Sequence, residues 1–356
     1  MIRTIDYAAL GSPVSKQDVA AFRAELAKTK PNFGAGSWIA IVVVAAVVVS
    51  FGAGFIAILG SVGASVAESS AGAGAALLVI IVPFLVLAVV IALVVMLVRY
   101  LAVKRFERYV RLDRFAKANG LIFSPADANP QYPGAIFGQG RARSAYEHFR
   151  SASDRFLDFG NYRYTTGSGK NSTTHTWGFM ALQLDRALPH MVLDSQANNF
   201  LGSNLPAAFS KDQVLSLEGD FNRYFTLYCP KEYERDALYV FTPDLMALCI
   251  DNAAPFDIEI VDKWMFVYSA SPFDMSTGHI YQRLFGIVDT VGAKTLTQTD
   301  RYSDERVANF TANYVAPQGA RLKRGVPVAA IVIGAIVLGF WIVPQIIAFA
   351  VAMSGR

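Results

Sequence analysis

Cysteine and histidine are scarce. Two cysteines and four histidines occur in 356 residues, too few for a secreted disulfide framework or for a site built mainly from Cys and His ligands. Cys229 and Cys249 sit in apolar contexts and read as buried free thiols of a reducing compartment, with a single disulfide between them as the alternative. Charge is scarce too: 17% of the residues are charged and 53% hydrophobic, whereas soluble domains carry about 25% charge. The deficit is concentrated in three apolar blocks whose interiors hold no Asp, Glu, Lys, Arg or His. Ion-coupled transporters and proton relays place such groups at membrane depth, so a transport role is disfavoured. Nor is the folded part basic. Residues 120–320 contain 16 Lys and Arg against 22 Asp and Glu, a net of −6, although the whole chain has a net charge of +4. Nucleic acid is therefore not an expected partner, because it requires a basic patch on the domain itself.

What is present is hydropathy in long runs. Leu77 to Val98 are 22 uncharged residues, about 33 Å of helix, enough to cross a bilayer's hydrocarbon core. The run passes directly into Arg99, Lys104, Arg105, Arg108, Arg111, Arg114 and Lys117, opposed only by Glu107 and Asp113. The expected organisation is a polar segment 1–36, a transmembrane helix 37–60, an external Gly/Ala/Ser linker 61–76, and a second transmembrane helix 77–99. A basic membrane-proximal helix 100–119, an α+β cytoplasmic domain 120–300, a polar linker 301–325 and a third transmembrane helix 326–353 follow. The linker 61–76 has no Lys or Arg while its outer flanks are basic, which places the N-terminus and the main domain inside. The first block starts too late and runs too long for a signal peptide. Arg99, Lys104, Arg105, Arg108, Arg111, Arg321, Lys323 and Arg324 flank the blocks and are the candidate contacts to lipid headgroups.

Within the domain, short strand patterns alternate with turn residues, which predicts a mainly antiparallel sheet. Ile258 to Val261 and Trp264 to Val267, separated by Asp262-Lys263, read as a hairpin. Trp177–Leu184 and Met191–Leu193 read as separate strands. Thr242-Pro243 is a helix start, an N-cap followed by proline at N1. A second helix is expected from His279 to Val291, and Ser15 is the expected N-cap of a helix from Lys16 to Lys28. Asn119-Gly120 is a helix stop.

Chemistry-bearing motifs are few. Gly167-Ser-Gly-Lys-Asn-Ser lacks the early glycine and the Ser or Thr after lysine that a phosphate loop needs, so a hairpin tip is expected. His190 with Asp194 and Asp185 is the nearest approach to an acid/base set: in extended chain, positions 190 and 194 share a side. The competing structural role is a hydrogen-bonded histidine in an apolar segment. Cys229 has no neighbouring His to activate it. No catalytic, cofactor or metal residues are assigned.

The order Phe221-Asn-Arg-Tyr-Phe-Thr-Leu-Tyr-Cys-Pro, Arg235-Asp-Ala-Leu-Tyr-Val-Phe-Thr-Pro-Asp-Leu-Met and Trp264-Met-Phe-Val-Tyr-Ser, with Gly160-Asn-Tyr-Arg-Tyr and Leu188-Pro-His-Met-Val-Leu-Asp, resembles a family of uncharacterised bacterial multi-pass membrane proteins, its actinobacterial branch in particular. The resemblance covers roughly 120–270 and implies apolar spans with a cytoplasmic domain in the bacterial inner membrane. It brings no catalytic residues and no mechanism. The expected function is a membrane-anchored interaction or regulatory module that binds a protein partner or lipid headgroups, with the bilayer and a homo-oligomer as further partners. A membrane-associated hydrolase is the alternative, and a transporter or channel subunit the second alternative.

Overall fold

Apolar and aromatic residues recur throughout 157–195 and 257–269, so strands there are covered on both faces and not alternately wet and dry. The computed structural model describes residues 5–31, 72–153, 155–199, 203–308 and 313–325, with isolated positions besides (33, 52, 54, 60–62, 64, 65, 338, 341, 342, 344 and 345). It contains a seven-stranded antiparallel sheet. Its strands are β1 (Leu121–Ala128), β2 (Arg141–Ser151), β3 (Leu157–Thr166), β4 (Thr173–Ser195), β5 (Val214–Leu215), β6 (Phe225–Tyr228) and β7 (Asp257–Ser269). The helices are α1 (Ala8–Gly11), α2 (Lys16–Thr29), α3 (Gly72–Ala118), α4 (Glu234–Val240), α5 (Pro243–Ala253), α6 (Gly278–Ile287), α7 (Ala293–Thr299) and α8 (Pro317–Ala320). The mixed helix-and-antiparallel-sheet character expected for the domain agrees with this.

The expected three transmembrane helices do not. Among the described residues no helix is long and apolar enough to cross a membrane. Most of blocks 37–60 and 326–353 lies outside the described residues. The run Leu77–Val98 is not a self-contained span. It is one part of α3, a single helix of 47 residues that continues unbroken through the arginine- and lysine-rich stretch. The multi-pass, inner-membrane assignment and the sidedness deduced from it are corrected accordingly.

The chain divides into two compact units, Gly11–Arg111 and Met1–Leu10 with Leu112–Arg356. In the first, Ser15 caps α2 through a reciprocal box with Asp18, and the Arg23 guanidinium lies 4.1 Å from the centre of the Phe106 ring. In the second, the sheet is held from both sides. On one face Phe149, Phe159, Tyr281, Phe285 and Phe115 make an aromatic cluster, with Tyr7 stacked on Phe115. The other face carries Phe137, Tyr162, Phe179, Val192, Val261, Phe266 and Tyr268. Gly120 (φ +67°) ends α3 in the left-handed conformation that glycine adopts freely.

Two strand irregularities set up the site described below. The expected hairpin at Asp262-Lys263 is one continuous strand, β7, with Asp262 at φ +53°. That single left-handed residue makes a bulge, and it shifts the alternation so that Val261 and Phe266 face the same core. The expected strands Trp177–Leu184 and Met191–Leu193 are parts of one 23-residue strand, β4. Opposite the bulge in β7, the register of β4 slips between Leu188 and Met191. Pro189, which has no N–H to give to a ladder, lies in that slip beside His190.

Candidate functional site

His190 does not meet Asp194 or Asp185. Four residues of extended chain separate positions 190 and 194 by about 13 Å, too far for a hydrogen bond even on one side of the strand. Asp185 forms a two-pronged ion pair with Arg155 at 2.8 Å on the surface. Asp194 accepts from Asn199 Nδ2 at 3.1 Å, and burial pushes its carboxyl above the usual range. His190 instead pairs with Glu259, which is wholly buried. The imidazole Nε2 lies 2.8 Å from Glu259 Oε1, while the Leu322 N–H donates to Nδ1 at 3.1 Å. A backbone N–H can only donate, so Nδ1 is unprotonated and Nε2–H is the donor to Glu259. The imidazole is therefore neutral, and both of its nitrogens are occupied.

Glu259 is saturated in the same way. Its Oε2 accepts from the Tyr268 hydroxyl at 2.6 Å and from the Ala135 N–H at 2.7 Å. Burial, then the adjacent carboxylate, holds the Tyr268 hydroxyl far above its usual pKa, so it remains a donor. The loop can reach the carboxylate because residue 134 is glycine: a Cβ there would overlap the Tyr268 hydroxyl.

Above this pair lies a cavity of about 340 Å³. His190 and Glu259 form part of its wall, with Pro133, Gly134, Gln139, Ala207, Phe209, Arg321, Leu322 and Arg324 among the remainder. Its covering segment, 321–325, is held at several points. The Lys323 N–H donates to Gln213 Oε1 and Gln213 Nε2 donates to the Lys323 carbonyl, both at 2.9 Å. The Gly325 N–H donates to the Ala208 carbonyl at 2.8 Å. Arg321 Nη1 donates to the Pro133 carbonyl at 2.8 Å.

A second buried cluster lies elsewhere on the sheet. His148 Nδ1 is 2.8 Å from Asp158 Oδ1 and its Nε2 is 3.0 Å from Asp127 Oδ2. Arg150 reaches Asp158 at 3.1 Å, and the Tyr132 hydroxyl donates to Asp158 at 2.5 Å. Burial opposes the imidazolium, yet the two carboxylates outweigh it and raise the His148 pKa. Burial likewise opposes the Asp158 carboxylate, but its partners lower its pKa. His148 closes an internal ion-pair network, whereas His190 borders a cavity.

Of the eight cations expected at lipid headgroups, Arg321 and Arg324 line the cavity, and Lys323 lies between them in sequence with an exposed side chain. Arg99 is exposed on α3, Lys104 pairs with Glu107 at 3.0 Å, Arg105 lies over the Tyr109 ring, and Arg111 donates to the Ser12 carbonyl at 3.1 Å; Arg108 lies on the same helix. Glu259 and His148 were missed in the sequence. A lone acid inside Ile258-Glu-Ile-Val was the available signal, since a charge in a buried strand needs partners. Cys229 and Cys249 are free and buried, with thiols pushed up to about 12 chiefly by burial. Gly169–Asn171 is the tip between β3 and β4, in keeping with a hairpin rather than a phosphate loop. Among the described residues no group of three or more His, Cys, Asp and Glu could hold a metal.

No protein-family model matches the chain. No curated protein matches it either. Among solved structures it is similar to the mycobacterial trehalose monomycolate transport factor A, with a TM-score of 0.35 and 11% identity, over 53% of this chain and 92% of that one. A likeness at that level carries no argument about role.

Proposed function

We propose that the chain is an interaction or regulatory module, a binding protein rather than a hydrolase, and that the cavity above His190 and Glu259 is its recognition site. The observation that carries this is the double engagement of His190. A general base needs a free lone pair within reach of substrate. Here Nδ1 is committed to the Leu322 N–H and Nε2–H to Glu259. Glu259 in turn has three donors on its two oxygens. The pair is a scaffold that ties β4, β7, the 133–139 loop and the 321–325 segment around a space, which is what a binding pocket needs.

Glutamine separates the two functions. In His190→Gln the amide N–H donates to Glu259 and the amide oxygen accepts from Leu322, but no proton can be exchanged at neutral pH. Chromosomal replacement in the native host should leave the His190→Gln strain like wild type, whereas Ala207→Trp, which fills the cavity, should resemble the deletion strain. A folded His190→Gln protein that fails to complement the deletion would show that the imidazole's protons are needed, and the binding reading would fall.

A further inference from the structure

The cavity wall carries more positive charge than it neutralises. Among the described residues Glu259 is its only carboxylate, and that charge is spread over three donors. His190 contributes none, for the tautomeric reason given above. Arg321 uses one guanidinium N–H on the Pro133 carbonyl. Arg324 makes no side-chain hydrogen bond or ion pair among the described residues. Several planar N–H donors therefore border a space whose one carboxylate among the described residues, Glu259, already accepts from three other donors. Arginine at such a position matches the two-oxygen edge of an oxyanion. The remaining wall (Pro133, Ala207, Phe209 and Leu322) is apolar, and the volume exceeds what a single oxyanion fills.

Resting on the binding-module reading above, we infer that the cavity takes a phosphate monoester, its phosphate held by Arg321 and Arg324 and a short organic stem lying against Phe209 and Leu322. The same chemistry is offered by a soluble phosphate ester and by the headgroup of a phosphatidic-acid-type lipid.

Calorimetric titration of the full chain at low ionic strength tests this with three probes: inorganic phosphate, glycerol 3-phosphate and dihexanoyl phosphatidic acid. Glycerol 3-phosphate should bind more tightly than inorganic phosphate, because its stem adds apolar contact. Arg324→Gln should weaken it about tenfold or more with an unchanged melting temperature, since the Arg324 side chain makes no hydrogen bond or ion pair among the described residues. Arg321→Gln should weaken it similarly. Lys323→Gln, which alters a side chain outside the cavity wall, should leave affinity within twofold. Absence of binding by all three probes would overturn the inference, as would equal weakening by Lys323→Gln, which would indicate a diffuse charge effect. Phosphatidic acid binding tenfold tighter than glycerol 3-phosphate assigns the site to a lipid headgroup. Equal or weaker binding assigns it to a soluble ester, and either result supports the phosphate site. The two proposals fail separately. If no phosphate binds while Ala207→Trp still abolishes function and His190→Gln does not, the ligand class is wrong and the binding module stands. If phosphate binds but His190→Gln is inactive, the reverse holds.

Discussion

Buried polar residues in this domain differ in how completely they are partnered, and Glu259 and Asp257 mark the contrast. Glu259 is complete, so removing it strands its donors. Glu259→Ala leaves the Tyr268 hydroxyl, the Ala135 N–H and the His190 N–H buried without an acceptor and should cost about 4 kcal/mol in urea unfolding. Glu259→Gln keeps the shape but turns one acceptor into a donor and should cost about 2 kcal/mol. Asp257 is incomplete. Its Oδ1 accepts from the Ser195 N–H at 2.9 Å and from Asn198 Nδ2 at 3.2 Å, while its buried Oδ2 has no partner among the described residues. Burial, reinforced by nearby Asp194, raises its pKa to about 7. An unfolded aspartate titrates near pH 4. Between about pH 4 and pH 7 the folded state therefore holds a proton that the unfolded state has released. Stability should fall as the pH rises through that window, by on the order of 4 kcal/mol in all, and level off above it. Asp257→Asn carries a permanently neutral group and should abolish this part of the pH dependence. Denaturation midpoints of both proteins from pH 4 to 8 measure it, and parallel curves would exclude Asp257 as the source.

Elements announced by local chemistry were legible in the sequence. Thr242 caps the helix Pro243–Ala253, its hydroxyl accepting the Leu245 N–H at 3.5 Å, and Ser15 and Gly120 mark helix ends as expected. The Thr242 contact is long, so Thr242→Ala should cost only about 0.5–1 kcal/mol of thermal or denaturant stability. Elements defined by long-range pairing were less legible. Asp262-Lys263 looks like a two-residue turn, and Asp262 does adopt a left-handed conformation, yet the chain does not reverse. Both flanks pair with the same strand, β4, and only the sheet decides between a turn and a bulge. Likewise Ala135 to Phe137 is apolar enough to suggest a strand but forms a turn, because Ile136 and Phe137 are needed in the core and Ala135 at Glu259. The transmembrane expectation is overturned too: Leu77–Val98 reads as a span by length and hydropathy, whereas among the described residues no helix is long and apolar enough to cross a membrane.

At the scale of the whole molecule, the cavity is assembled from chain segments distant in sequence. His190 lies 69 residues from Glu259 and 132 from Leu322 in the chain, so no local pattern could have joined them. Residues 301–325, which read as a polar linker, contain the buried Asp304, bonded to the Tyr233 hydroxyl at 2.6 Å, and the segment that covers the cavity. That segment is a strap with few apolar anchors: Leu322 is buried, while Arg321, Lys323 and Arg324 are exposed. Its order depends on backbone bonds to Gln213, His190 and Ala208 more than on packing. Such segments open at lower free energy than the sheet beneath them. Gln213→Ala deletes the reciprocal pair of bonds to Lys323 and should accelerate hydrogen exchange at Leu322 and Lys323 by about tenfold, equivalent to about 1.4 kcal/mol of local stability. Amides in the centre of β3 and β4 should keep their wild-type protection. Uniform acceleration throughout the domain would mean that the strap opens only with global unfolding, and that a ligand reaches the cavity through some other boundary.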